Sequence, residues 1–360
     1  MAVNIFDALT IILYYIAVVT VGVWAGRKVR PYIADDTHFR CAFEAARLAA
    51  SARIRGPVQW HHKHVVHTAA DHKEADDNEY LLRLFLANRN VSLTLGFISM
   101  TATWVGGGYL NGTAEAVFNY GIVWCQAPLG YALSLIIGGW FFAGKMHVTK
   151  ALTMLDPFQQ HYGPWIAILL CVPAICGELF WTAAILAALG DTVAVTMNID
   201  STFFIVVSSF VILFYTSLGG LYSVIYTDLF QMVGVVIGLW TSLASFLTNE
   251  AVGMIGAPHN DWVGTIHSRD VSQSLDQLFM TVLGGIPWQA SDMEVCIVLR
   301  SMVCLIGAVA TTMALNVTSV FDLWTLSSDI VYVLLFPQFV AYFFLRNLSN
   351  AYGAVLDLAQ

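Results

Sequence analysis

SMTATWVGGGYLNGTAEAV, residues 99–117, is the stretch from which the rest of the chain is read. Three consecutive glycines, Gly106, Gly107 and Gly108, follow Trp104 inside an apolar run that begins near Val91. Each glycine costs a helix about 1 kcal/mol relative to alanine, so a helix is expected to break here. In a bilayer, freed N–H and C=O groups persist only where protein or a wet cavity meets them, so a break implies a site. The competing reading is a face of small residues on which helices pack closely.

Composition sets the class around that stretch. Hydrophobic residues make up 58% of the chain, charged residues 11%, and mean hydropathy is +0.69, far from the balance of soluble domains. The expectation is an all-α polytopic membrane protein whose solvent is the lipid bilayer. A span takes about 20 apolar residues. Nine stretches qualify: 4–26, 91–110, 122–144, 165–189, 202–219, 229–248, 275–290, 295–315 and 323–345, the seventh being short. The first lacks a basic leader and carries Asp7 ahead of its apolar core, so it reads as a span and not a cleavable signal.

Basic residues concentrate on the cytoplasmic side of short loops. With the N-terminus outside, 15 of the 16 Lys and Arg residues fall inside and only Arg269 is left out. An extracellular N-terminus and a cytoplasmic C-terminus follow. The six cysteines, Cys41, Cys125, Cys171, Cys176, Cys296 and Cys304, suggest apolar packing and not a disulfide framework. Residues 30–90 differ from the rest: they are polar and hold six of the ten histidines. The cluster His61, His62, His64, His67 and His72 lacks regular ligand spacing, so a solvated cytoplasmic loop is favoured over a metal site.

Further along, Asn111 opens a sequon so close to the membrane that glycosylation is not expected. Pro173 and Glu178 lie inside the fourth span, with Trp181 one turn beyond the acid on a shared face. A carboxylate at that depth points to a cavity or a buried partner. Gly219 and Gly220 are expected to end the fifth span, and Asp228 to sit near the start of the sixth, where a negative charge suits the helix dipole. In SLDQLFMTVLGGIPWQA, residues 274–290, Gly284, Gly285 and Pro287 interrupt an apolar run beside Trp288. Two broken helices far apart in sequence are the mark of an inverted-repeat transporter, with substrate and ions held where the breaks meet.

The runs TATWVGGGYLNGTAEAV, TMLDPFQQHYG, GGLYSVIYTD, LGGIPWQA and LWTLSSDIVYVLLFPQ resemble the sodium:solute symporters, and within them the members that carry choline. The resemblance covers residues 1–29, 91–290 and 300–354. It implies Na⁺-driven, chloride-dependent choline uptake into cholinergic neurons for acetylcholine synthesis, on two inverted five-helix repeats. On that frame the chain divides into a first helix at 1–29, an atypical segment at 30–90, a first repeat at 91–248, a second at 275–345 and a tail at 346–360.

The chemistry agrees, because a quaternary ammonium donates no hydrogen bond and is held by aromatic faces. Candidate cage residues are Trp104, Tyr131, Trp181, Trp288 and Trp324, and candidate Na⁺ carbonyls lie at Trp104, Val105, Gly106 and Gly107. Against the family pattern, Ala290 leads through SDMEVCIV straight into a late span, so the second repeat is short by about two helices, one of which helps coordinate Na⁺ in the family. Ser327 and Ser328 are no obvious substitute. With the chain ending at Gln360, a shortened isoform or fragment is expected, which leaves a second reading: a non-transporting membrane interaction partner. A symporter for another organic solute is a third. Neither a nucleophile–base constellation nor a nucleotide loop is present, so no enzyme, cofactor or nucleic-acid partner is expected.

Overall fold

The computed structural model describes residues 5–29, 92–149, 155–198, 200–249, 262–291, 297–316, 319–346 and 353–354. The 30–90 segment and its histidine cluster therefore lie outside the described residues, as do the side chains of Trp288, Arg300 and Cys304. Among the described residues there are twelve α-helices and no strands: α1 (Ile5–Val29), α2 (Leu93–Trp104), α3 (Gly107–Tyr120), α4 (Ala127–Ile137), α5 (Gly144–Thr149), α6 (Asp156–Tyr162), α7 (Pro164–Met197), α8 (Ser201–Thr248), α9 (Val271–Ser291), α10 (Ile297–Asn316), α11 (Val320–Leu334) and α12 (Phe336–Phe344). A six-residue π-helical segment, Gly138–Ala143, joins α4 to α5.

Three stretches among the described residues are long and apolar enough to cross a membrane: Ile122–Met146, Pro164–Met197 and Val224–Thr248. The pair α11 and α12, bent by 41° at Leu335, makes a fourth if counted as one span. The chain is thus a multi-pass helical membrane protein. Helix α7, 34 residues long, is the central post: α11, α8, α10, α3 and α6 all pack on it. Helix α11 sits between α7, α3 and α9, and α9 in turn lies along α4.

The expected break at the glycine triplet is present, but only Gly106 occupies it. Helix α2 ends at Trp104, Val105 turns out of helical geometry (φ −87°, ψ 57°), Gly106 is extended, and α3 starts at Gly107. Gly107 serves the competing reading instead: a Cβ there would stand 2.9 Å from Ala188 Cβ on α7.

The second expected break is absent. Helix α9 runs unbroken from Val271 to Ser291, with Pro287 inside it and fully buried. Its glycines act by letting neighbours in. A Cβ on Gly284 would collide with the Ser328 carbonyl oxygen, and one on Gly285 would lie 2.5 Å from Ser134 Oγ. The close approach of α9 to α11 and α4, a small-residue packing, accounts for the pair.

The expected stop at Gly219–Gly220 is corrected as well, since α8 is a single helix of 48 residues. It is not straight. Ser208 and Phe230 both touch α1, through the neighbouring residues Tyr15 (hydroxyls 2.5 Å apart) and Tyr14 (ring centroids 6.1 Å). A straight helix would hold two residues at that separation about 33 Å apart, so α8 bends between them, over the interval containing the glycines. Asp228 is accordingly no cap. It is buried inside α8 and accepts a hydrogen bond from the Ser99 hydroxyl of α2.

Candidate functional site

Four helices deliver one aromatic side chain each to a common point beside the α2–α3 break. Trp104 is the last residue of α2, Tyr131 lies on α4, Trp181 on α7 and Trp324 on α11. Ring centroids are 5.3 Å apart for Trp104–Tyr131, 5.2 Å for Trp104–Trp181, 6.1 Å for Tyr131–Trp181 and 4.9 Å for Tyr131–Trp324. These separations suit edge-to-face and tilted pairs, which contribute about 0.5–1.5 kcal/mol each beyond burial. Trp324, Tyr131 and Trp104 are only 1%, 2% and 7% exposed, so the cluster also forms the heart of the core.

Tyr109, in the first turn of α3, adds a fifth ring 5.5 Å from Trp324. The sequence reading missed it, although it stands in the same run as Trp104. Beside these rings lies a small, partly open cleft bounded by Trp104, Gly106, Gly108, Tyr109, Trp181 and Trp324; Tyr131 packs behind it and is not part of its lining. None of its lining residues is charged. Trp288 follows Pro287 on α9, and its side chain lies outside the described residues.

The hydroxyls around the cage are committed to it. Tyr131 Oη is hydrogen-bonded to Ser328 Oγ and donates to the Trp324 carbonyl at 3.4 Å. Ser327 Oγ donates to that same carbonyl at 2.6 Å. Trp324 is thereby fixed through its own backbone as well as through its ring.

At the break, Val105 N–H donates to Thr101 O at 2.8 Å and Leu110 N–H to Gly106 O at 3.0 Å. No backbone hydrogen bond joins α2 to α3 between these two. The carbonyls of Ala102, Thr103, Trp104 and Val105 are therefore left without an intrahelical donor, as a broken helix requires. Of the four carbonyls named from the sequence, those of Trp104 and Val105 lie at the break without an intrahelical donor. Gly106 O is taken by Leu110, and Gly107 already belongs to α3.

Glu178 is corrected: it is exposed on α7 and not buried in the cavity. The i to i+3 offset turns it away from Trp181 by about 60°, enough to carry the carboxylate off the ring cluster. Asn111, by contrast, is held inside: its Nδ2 donates to Ala188 O at 3.1 Å and to Thr192 Oγ1 at 2.9 Å on α7. A second residue the sequence reading passed over is Glu115 on α3, whose Oε2 accepts the N–H groups of Val320 (3.0 Å) and Phe321 (3.2 Å). An ionisable group on a helix attached to a membrane site was the signal that could have found it.

Comparison with known proteins places this geometry in context. The sequence model of a family described as "Sodium:solute symporter family" matches residues 84–261. The chain is 34% identical to "High affinity choline transporter 1" of Homo sapiens over 76% of this chain and 68% of that protein. It is 30% identical to "High-affinity choline transporter 1" of Drosophila melanogaster over 98% of this chain and 69% of the relative. For the Torpedo marmorata protein of that name the identity is 32%, covering 99% and 75%. The human alignment runs over 396 positions yet takes up only 76% of these 360 residues, so at least about 120 positions hold residues of the relative with no counterpart here.

Proposed function

This chain belongs to the sodium:solute symporter family, and from that premise we propose that it takes up choline across the plasma membrane by symport with Na⁺. The observation that carries this reading is the box of Trp104, Tyr131, Trp181, Trp324 and Tyr109 beside an unwound stretch of backbone. A trimethylammonium group offers no N–H, so hydrogen-bond acceptors gain it nothing. Aromatic faces attract it by about 0.5–2 kcal/mol each, most strongly where water is excluded. The uncharged lining of the cleft leaves ring geometry to set selectivity for the cation.

The open carbonyls of Trp104 and Val105 supply oxygen ligands for Na⁺, in the manner of unwound helices in secondary transporters. Because Trp104 gives its ring to the cage and its carbonyl to the break, cation and substrate meet on one residue. The wider proposal places the N-terminus outside and the C-terminus in the cytoplasm, in cholinergic neurons where choline feeds acetylcholine synthesis, with Cl⁻ dependence. It reads residues 91–248 and 275–345 as inverted repeats, the second shortened.

A second reading is favoured by one observation, the roughly 120 positions of the human relative without a counterpart. If they include an Na⁺-coordinating helix, this chain delivers a cage without coupling and acts as a non-transporting partner. Na⁺-dependent uptake of radiolabelled choline by cells expressing the 360-residue chain, scored against surface labelling, separates the two. Surface delivery without uptake refutes transport by this form.

A further inference from the structure

Glu115 lies outside the aromatic cleft, yet its bonds reach the helix that holds Trp324. A helix begins with N–H groups that no intrahelical carbonyl can reach. At the start of α11, Ser319 Oγ takes the Asp322 N–H at 3.1 Å, the usual local cap. The N–H groups of Val320 and Phe321 go instead to Glu115 Oε2, from a different helix, at 3.0 and 3.2 Å. A carboxylate at this end also meets the positive pole of the helix dipole, and its hydrogen bonds are the stronger, charge-assisted kind.

Two further contacts run in the same register between α3 and α11. A Cβ on Gly112 would stand 3.3 Å from Phe321 Cα and 3.5 Å from the Trp324 ring, and one on Gly108 would stand 3.6 Å from Trp324 Cγ. Gly108, Gly112 and Glu115 therefore meet Trp324, Phe321 and the α11 N-terminus in turn. The two glycines permit the approach, and the carboxylate fixes it along the axis. Trp324, one turn beyond the clamped residues, is the ring that packs against both Tyr131 (tilted) and Tyr109 (edge-to-face).

We propose that Glu115 is the positioning residue of the cage: by tying the start of α11 to α3 it sets the depth at which Trp324 meets Tyr131 and Tyr109, and so the grip on the quaternary ammonium. This rests on the choline reading for its ligand but not for its geometry. Glu115→Ala removes the one acceptor of both N–H groups. The measurement is saturation of choline uptake, normalised to surface protein, in the full chain. The expected result is a KM raised about tenfold, the equivalent of one charge-assisted bond, with the maximal rate per surface copy changed less than about twofold. Glu115→Gln keeps a carbonyl oxygen in place and is expected to restore most of the affinity. Combined with Trp324→Phe, the Glu115→Ala effect should shrink, because both act on the same ring.

An unchanged KM in Glu115→Ala, or effects that simply multiply in the double variant, overturns the proposal. If Glu115→Ala is not delivered to the surface, Glu115→Asp decides: its shorter reach should raise KM about threefold while Glu115→Gln does not, and equal values overturn it. If the unmodified chain takes up no choline, the functional reading fails separately. The ligand-free near-ultraviolet circular dichroism of purified protein then reads the cage. Glu115→Ala must alter the aromatic band in the unmodified background and leave it unaltered in Trp324→Phe. The opposite pattern refutes positioning.

Discussion

Substituting alanine for each glycine of the triplet in turn should give three different outcomes, although the residues are identical and adjacent. At Gly106 the backbone has a negative φ of −95°, open to any residue, and the nearest atom to a new Cβ is the Thr103 carbonyl oxygen at 3.8 Å. Gly106→Ala meets no clash and removes unfolded-state freedom, worth about 0.4–1 kcal/mol of stabilisation. At Gly107 the Cβ would sit 2.9 Å from Ala188 Cβ, and neither methyl has a torsion that relieves it. Overpacking costs about 1–3 kcal/mol, against which the helical preference of alanine returns about 1 kcal/mol. The net expectation for Gly107→Ala is a loss of up to about 2 kcal/mol. Gly108→Ala meets Trp324 and Ala184 at 3.6–3.7 Å, ordinary contact, so stability holds while the new methyl narrows the cleft and choline affinity falls. The assay is thermal unfolding of detergent-solubilised protein followed by fluorescence-detected size exclusion, with choline saturation for the third variant. A drop of up to about 3 °C is expected for Gly107→Ala alone. If Gly106→Ala destabilises as much as Gly107→Ala, the division into one break residue and one packing residue is wrong.

Trp324→Phe keeps a ring against Tyr131 and should raise choline KM about threefold, whereas Trp324→Leu removes the π face and should raise it tenfold or more, about 1.4 kcal/mol per decade. Radiolabelled choline saturation checks both, and equal values for the two variants would remove Trp324 from the cage. Asn111 should carry no glycan, because its amide is engaged by α7: Asn111→Gln is expected to leave gel mobility unchanged before and after glycosidase treatment. Na⁺ should raise the affinity of purified protein for choline by about 5–150-fold, and choline should raise Na⁺ affinity by the same factor, since linkage is reciprocal. Choline binding indifferent to Na⁺ would favour the non-transporting reading.

What the sequence made legible was whatever depends on residues close together in the chain. The break at Val105–Gly106 follows from glycine's own helix penalty, and the aromatic candidates follow from what a quaternary ammonium can and cannot bind. Gly284 and Gly285 were misjudged because the atoms that decide their role, the Ser328 carbonyl and Ser134 Oγ, lie tens of residues away or more. Glycine as breaker and glycine as contact point look the same in one dimension. Likewise Gly219 and Gly220 fall inside one helix, Ser201–Thr248, so a glycine pair did not by itself mark a stop. Asp228 read as a cap because its acceptor role toward Ser99 joins helices far apart in sequence. Glu178 shows the converse: a three-residue offset predicts rough proximity on a helix surface, not which side of an edge a carboxylate falls.

The proposed aromatic cage and the proposed ion carbonyls share Trp104, but they differ in how complete they are within the described helices. Every ring in the cage is delivered by α2, α3, α4, α7 or α11, and each of these helices is packed within the described residues. The hydroxyls of Ser327 and Ser328 are bonded to the Trp324 carbonyl and to Tyr131, so they help to hold the ring cluster together. Two carbonyls do not close a cation shell, so those of Trp104 and Val105 need further oxygen ligands, whereas the ring cluster is assembled among the described helices. Loss of a helix from the second repeat would thus weaken coupling before it weakened recognition. A chain of this architecture fails, when it fails, as a choline binder that has lost its ion, and not as a Na⁺ carrier that has lost its substrate.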